Sequence, residues 1–173
     1  MPRIDLRTKV RDVPDFPRPG IVFKDIMPLL ADAEALHQAV DEIAEWAAPR
    51  NVDVVVGAEA RGFILGAAVA YKLGCGFVAA RKPGKLPFLT VGAKYALEYG
   101  FDALEMHVDA LKPGTRVLVH DDLLATGGTA TALCSLVEQL GGTFAGCGFL
   151  IELGELRGRE RVAPRPVHAL LTY

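Results

Sequence analysis

Upstream of Val52 the clearest regular signal in the chain is helical. Leu36, Val40, Ile43 and Ala47 recur on one face at helical spacing, and Glu34, Asp41 and Glu45 fall on the other. Asp32 stands where it can cap this helix, which the pattern carries to about Ala48. His37, beside Leu36, belongs at the surface or boundary of that face. Residues 1–13 are charged and read as a short helix. Asp15-Phe16-Pro17-Arg18-Pro19-Gly20 then interrupts regular structure, because each proline restricts the residue before it.

From Val52 onward strands and helices alternate. Val52 to Val56 reads as a buried strand and Phe63 to Leu73 as an alanine-rich helix closed by Gly74. Phe77 to Ala80 and Thr115 to His120 are further strands. A helix over Thr129 to Leu140 ends at Gly141-Gly142, a strand follows over Phe144 to Leu153, and Val167 to Thr172 adds a last one. This spacing predicts an α/β fold with a doubly wound, mostly parallel sheet and crossover helices. Arg81 to Lys112 breaks the alternation, and its length and mixed character suit a functional loop or lid. No repeat, low-complexity tract or polar linker divides the chain, so one domain over 1–173 is expected.

Bulk properties narrow the function classes. At 51% hydrophobic and 23% charged residues the chain should be ordered and globular. A net charge of −2 gives no reason to expect nucleic acid or an anionic membrane as partner, although local charge can still hold a small polyanion. No run is long enough to span a membrane, and Arg3, Asp5, Arg7 and Lys9 occupy the stretch where a signal peptide is apolar, so the cytoplasm is expected. Cys75, Cys134 and Cys147 are widely spaced in apolar surroundings, without CxxC or zinc spacing, and read as buried free thiols.

The chemistry concentrates in Val117-Leu118-Val119-His120-Asp121-Asp122-Leu123-Leu124-Ala125-Thr126-Gly127-Gly128-Thr129. An apolar strand ends at two carboxylates, then at a small-residue loop, then at a helix opened by Thr129. Strand ends of this kind face the ligand crevice of open α/β sheets. Ala125 to Thr129 can wrap a phosphate, with close backbone approach at Gly127 and Gly128, hydroxyls from Thr126 and Thr129, and a helix N-terminus behind. Asp121 and Asp122 lie too early to touch that phosphate and should face sugar hydroxyls or Mg²⁺. Taken alone, a tight strand-to-helix turn with Thr129 as N-cap and solvated acids has the same local pattern.

The whole run resembles the motif with which type I phosphoribosyltransferases bind phosphoribosyl pyrophosphate (PRPP), most closely that of their adenine branch. Four other segments extend the resemblance, which covers about Phe16 to Leu171. Gly57-Ala58-Glu59-Ala60-Arg61-Gly62-Phe63 has the glycine spacing of a Walker A loop but Phe63-Ile64 where that loop needs Lys-Ser/Thr, which argues against an ATPase. Arg61 at a helix N-terminus offers a fork of donors to an anion, the other reading being a surface arginine paired with Glu59. The segment is similar to the family's pyrophosphate loop, which implies a cis peptide at Ala60–Arg61. Where this chain has Ala60, the family often carries a hydroxyl or acid.

Arg81-Lys82-Pro83-Gly84-Lys85 puts three cations straight after a strand and resembles the family's mobile cationic loop through Leu86-Pro87. The resemblance implies that Lys82 and Lys85 contact pyrophosphate, Lys85 moving in as a lid over about 81–107 shuts. Tyr95-Ala96-Leu97-Glu98-Tyr99-Gly100 resembles the adenine-branch catalytic loop, in which the carboxyl group sits near N7 of the purine. A shielded carboxyl group there can share a proton with the base. Tyr99 would pack over the sugar or close the lid. Phe16 to Asp25 resembles the family's hood, about 1–35 here, ahead of a core over about 36–173. By that resemblance Phe23 stacks on the purine, while the Val22 carbonyl and the Lys24 N–H pair with its N6 amine and N1. Many relatives have arginine where Lys24 stands. Ile151-Glu152-Leu153 and Arg157-Gly158-Arg159-Glu160 also match, with Leu153 lining the base pocket. His120 departs from the usual aliphatic residue and reads as a core or dimer-facing histidine.

The resemblance implies transfer of the phosphoribosyl group of PRPP to adenine, giving AMP and pyrophosphate, with Glu98, Arg61 and Lys85 as catalytic groups. It implies inversion at the anomeric carbon through an oxocarbenium-like state. It also implies Mg²⁺ held mainly by PRPP and water, with Asp121 and Asp122 nearby and no direct protein ligand, and a homodimer. Transfer to hypoxanthine or xanthine, or PRPP sensing by a regulator, are the competing expectations. Ser135, the only serine, lies inside a predicted helix, His107 and His168 lack partners at metal spacing, and no GxGxxG follows a strand. A serine hydrolase, a metal site on those histidines and a dinucleotide site are therefore not expected.

Overall fold

The computed structural model describes residues 3–96 and 101–173. Near its start a single 3₁₀ turn, Leu6–Lys9, is capped by Asp5, whose carboxylate accepts from the Arg7 N–H at 3.0 Å. The helix expected over residues 1–13 goes no further. Arg11–Pro14 (β1) instead pairs antiparallel with Val22–Asp25 (β2), Val13 opposite Phe23. Pairing with the next strand of a hairpin outweighs a weak local helical preference.

Met27–Ala31 (α1) and Ala33–Ala47 (α2) follow, and Asp32 caps α2 as predicted, its side chain accepting from the Ala35 N–H at 3.1 Å. Val40, Ile43 and Ala47 are buried, whereas Leu36 is half-buried and His37 exposed.

The alternating part of the chain comprises Val54–Ala58 (β3), Arg61–Leu73 (α3), Gly76–Ala80 (β4), Thr90–Ala96 (β5), Phe101–His107 (β6), Arg116–Leu124 (β7), Gly128–Gln139 (α4), Thr143–Glu152 (β8), Gly158–Val162 (α5) and Val167–Thr172 (β9). Five strands form one parallel sheet in the order β4-β3-β7-β8-β9. Both faces are covered. Val54 and Val56 of β3 join a cluster with Leu133, Leu136 and Phe149, while Val55 joins Ile43, Leu65 and Leu150 on the opposite face. Successive strand residues point to opposite faces, so a strand buried on both sides reads as a continuous apolar run.

Three expectations need correction. β7 does not stop at His120 but continues to Leu124, because Asp121, Leu123 and Leu124 pair with Phe149, Ile151 and Glu152 of β8. α4 starts at Gly128, so Thr129 lies inside its first turn and Gly127, at φ 85°, is the N-cap. The stretch after β4 is largely not a loop: β5 and β6 form a separate antiparallel ribbon, joined to the end of β4 by a bridge between Arg81 and Glu105. Its inward residues, Ala93, Tyr95, Leu104 and Met106, alternate along each strand and are buried.

Cys134 and Cys147 are buried free thiols with sulfurs 4.0 Å apart, while Cys75 is half-buried. Among the described residues no helix is long and apolar enough to cross a membrane.

Candidate active site

The parallel sheet brings the ends of β3 and β7 side by side, Gly57 in register with His120. Beyond them opens a cleft of about 190 Å³ lined by Arg61, Asp121, Asp122, the run Leu123 to Ala130, and Tyr95 and Ala96. Ala125, Thr126, Gly127, Gly128 and Thr129 are therefore together with both acids, as the motif requires. The turn has two structural demands. Gly127 takes a positive φ, and a Cβ on it would lie 2.8 Å from the Gly158 carbonyl oxygen. A Cβ on Gly158 would stand 2.2 Å from the Ala125 carbonyl oxygen. The Arg161 guanidinium donates to the Thr126 carbonyl at 3.3 Å. The start of α5 is thus a backstop for the small-residue loop.

Asp122 is 4% exposed and its Oδ2 lies 2.5 Å from Arg61 Nε. Arg61 is bound to this acid rather than to Glu59, whose carboxylate pairs instead with Arg81 Nε at 2.6 Å. Burial disfavours the charge on Arg61, but Asp122, Asp121 and Asp25 outweigh it, so the guanidinium stays protonated with its pKa raised. Asp121 behaves oppositely. Burial, reinforced by the adjacent Asp122, pushes its carboxyl group well above the usual carboxylate range. Its Oδ1 accepts from the Asp122 N–H at 2.9 Å, and a Cβ on Gly62 would stand 2.7 Å from the same oxygen. The entry of α3 consequently packs directly on this acid. The pair can both donate to and accept from hydroxyl groups, which suits a ribose edge.

The cis peptide of this loop is Glu59–Ala60, one bond before the position expected. Arg61 is already the first residue of α3, with exposed Ala60 as its N-cap, so the bond between them belongs to the helix entry.

Lys82 and Lys85 lie outside the cleft lining. The Lys82 ammonium is taken up by Asp102, whereas exposed Lys85 is fixed through its backbone, its N–H donating to the Lys82 carbonyl at 3.3 Å and its carbonyl accepting from Arg81 at 3.3 Å. Phe23 is half-buried between the edge of Phe16 (centroids 5.2 Å apart, 75° between planes) and the Arg61 guanidinium, 5.3 Å from its centroid. Phe23 therefore touches the arginine that lines the cleft. Val22 and Lys24 alternate with it on β2, so the Val22 carbonyl and the Lys24 N–H point the same way. The Lys24 ammonium pairs with Asp12 at 2.7 Å and covers the Tyr173 ring at 4.0 Å. Its side chain braces the hairpin. Leu153 is half-buried, packs on the cluster around Ile43, and donates its N–H to the Leu124 carbonyl at 2.9 Å rather than lining the cleft. Glu98 and Tyr99 lie outside the described residues.

His120 is wholly enclosed with both ring nitrogens unpartnered. Burial lowers its pKa to about 4 against a partial pull from Asp122. It is a neutral core residue beneath the acids. Sequence reasoning assigned no role to Tyr95, Asp102 or Gly158. The first two sit on a ribbon whose alternation is diluted by small residues such as Ala93, and the third is exposed only by the packing of α5 on the loop.

With this geometry in place, the chain can be set beside known proteins. The family model described as phosphoribosyl transferase domain matches residues 29–165. An adenine phosphoribosyltransferase of Rubrobacter xylanophilus is 56% identical over 97% of this chain and 91% of its own length. The solved adenine phosphoribosyltransferase of Thermoanaerobacter pseudethanolicus has a TM-score of 0.95 at 47% identity, covering 97% of this chain and 98% of that one. The Saccharomyces cerevisiae enzyme, solved in complex with an imino-altritol bisphosphate and adenine, gives 0.91 at 39% identity, with 96% of each chain covered.

Proposed function

The chain belongs to the adenine phosphoribosyltransferase family, and on that premise we propose how its residues divide the work. The enzyme is a purine-salvage transferase that joins adenine to PRPP and yields AMP and pyrophosphate. The observation that carries the division of roles is the single cleft uniting the small-residue loop, the acid pair and Arg61.

Ala125, Thr126, Gly127, Gly128 and Thr129 hold the 5-phosphate at the start of α4, and Asp121 and Asp122 hold the ribose hydroxyls. Arg61, the N–H groups around Ala60, and Lys82 and Lys85 hold pyrophosphate as the bond to the anomeric carbon breaks. Its electron pair leaves with the pyrophosphate, N9 of adenine closes on the opposite face, and the fixed cations stabilise the departing charge. Adenine enters as its N7–H tautomer, so N9 has a free lone pair, and the N7 proton passes to the Glu98 carboxylate as the N9 bond forms. Phe23 stacks on the base, and the Val22 carbonyl and the Lys24 N–H read its N6 amine and N1. Leu153 adds an apolar wall to the base pocket. The N-terminal hairpin serves as hood, and the segment over about 81–107, with Tyr99, as lid that excludes water from the donor.

The donor set suits a metal that arrives with the substrate. Among the described residues no three His, Cys, Asp or Glu side chains cluster to hold an ion, and Asp122 is already engaged by Arg61. Mg²⁺ would be held by PRPP oxygens and water beside Asp121 and Asp122. Bound there, it would screen the pyrophosphate charge and so make that group a better leaving group. The exposed face of α3, with Ile64 and Tyr71, supports a homodimer, and the cytoplasm is the compartment proposed.

PRPP-dependent conversion of labelled adenine to AMP tests the assignment, with chelation of Mg²⁺ expected to stop it. Hypoxanthine presents an acceptor at position 6 and a donor at N1, both mismatched to Val22 and Lys24. A site that satisfies polar edges can reject such a mismatch by roughly 10⁴–10⁵. Comparable steady-state rates on adenine, hypoxanthine and guanine would remove the hood from base selection.

A further inference from the structure

Lys82 has a partner. Its ammonium binds the Asp102 carboxylate on β6 and donates to the Tyr95 hydroxyl on β5 at 3.4 Å, and that hydroxyl in turn donates to the same Asp102 oxygen at 3.2 Å. The other Asp102 oxygen accepts from the Ala103 N–H at 2.8 Å, so the carboxylate is oriented from both sides. Tyr95 reaches further. Its ring lies against the phosphate loop, where a Cβ on Gly128 would be 3.2 Å from Tyr95 Cδ2. One chain of contacts thus runs from the loop, through a buried tyrosine, to the cation. Lys82 and Asp102 retain 38% and 30% side-chain exposure, so their pairing is screened and exchangeable rather than locked.

We propose that Asp102 is a positioning residue for Lys82. It keeps the ammonium beside the phosphate loop in the unliganded enzyme and competes with pyrophosphate for it. This rests on the assignment of Lys82 to pyrophosphate made above. A lysine on a flexible stem after a strand has many places to be, and a fixed carboxylate gives it one. The carboxylate carries one negative charge and pyrophosphate several, so the bound polyanion wins the ammonium. As pyrophosphate leaves, Asp102 takes the ammonium back, which favours release.

The test is product inhibition by pyrophosphate against PRPP at one fixed Mg²⁺ concentration, in the unaltered chain and four variants of it. Asp102→Asn keeps the size and the hydrogen bond from Tyr95 but removes the charge. It should lower the pyrophosphate inhibition constant about three- to fivefold, the scale expected of a half-exposed ion pair, and lower the PRPP KM in parallel. Lys82→Gln should raise the inhibition constant, and adding Asp102→Asn to it should change nothing more. An unchanged or raised constant in Asp102→Asn overturns the inference. So does an equal drop in the Lys82→Gln background, which would mark a general field effect. If Lys82→Gln alone leaves inhibition unaltered, the assignment of Lys82 itself falls, and that outcome is distinct from the other two. Tyr95→Phe, which keeps the ring on Gly128 and loses the hydroxyl, should shift the constant in the same direction as Asp102→Asn.

Discussion

His120 places a titratable ring where water cannot reach it. In the unfolded chain the imidazole takes up a proton near pH 6.5, while in the folded protein it resists until about 4. Because the unfolded state binds the proton first, stability falls as pH drops through that interval and is unaffected by this group above it. At 1.36 kcal/mol per pKa unit the loss approaches about 3 kcal/mol. Asp121, whose carboxyl group is raised, acts in the opposite sense. The informative measurement is therefore urea unfolding of wild type against His120→Leu at pH 7 and pH 4.5. The variant should gain relative stability on acidification, and a constant difference would show that the ring is not kept neutral. At Glu98 the expectation concerns rate. General acid–base help contributes on the order of 10²–10⁴, so Glu98→Ala should lower turnover far more than PRPP affinity. Near-normal turnover would exclude Glu98 from the mechanism.

Among the elements, α5 matters more than its size suggests. Gly158→Ala cannot be accommodated without moving the Ala125 carbonyl, and displacement of a positioning loop by about 1 Å can cost on the order of 10² in rate. Gly158→Ala should therefore raise the PRPP KM and depress kcat/KM by that order. Gly92→Ala on β5, whose added methyl finds its nearest neighbour at 3.8 Å, should be close to neutral. Equal kinetics for the two variants would deny the backstop role of α5. This scale also shows what the sequence made legible. Helices with a clean apolar face and a capping aspartate, such as α2, were readable to within a residue or two, and so were the strands buried on both faces, the end of β7 excepted. The β5–β6 ribbon was not, because small residues such as Ala93 dilute its alternation. The extension of β7 through Asp121 and Asp122 was hidden because two acids look like an end, whereas pairing with β8 carries the strand past them.

For the whole molecule, the cleft is a product of strand order. Arg61 follows β3, the acids end β7, and Tyr95 comes from a ribbon outside the sheet, so the site joins segments well separated along the chain. Residue types and loop chemistry pointed to Arg61, the acid pair and the small-residue loop, which line the cleft. Which groups touch, such as Arg61 with Asp122 and Phe23, or Lys82 with Asp102, depends on tertiary packing that no local pattern encodes. A ligand gripping both loops must stabilise the folded state as a unit. PRPP with Mg²⁺ at about 100 times its dissociation constant should add roughly 2.7 kcal/mol, visible as a rise in Tm. Removing Mg²⁺ with a chelator should shrink that rise, and no shift under either condition would contradict a site built around PRPP.

The attachment of Arg81 has a mechanical consequence. Its side chain is clasped by Glu59, and its backbone exchanges two hydrogen bonds with Glu105, at 2.9 and 2.7 Å. If the cationic segment closes over pyrophosphate as proposed, it would swing from a root that also anchors the opposing arginine loop. Such a stroke would be short and local, with Arg81 as the pin shared by both jaws.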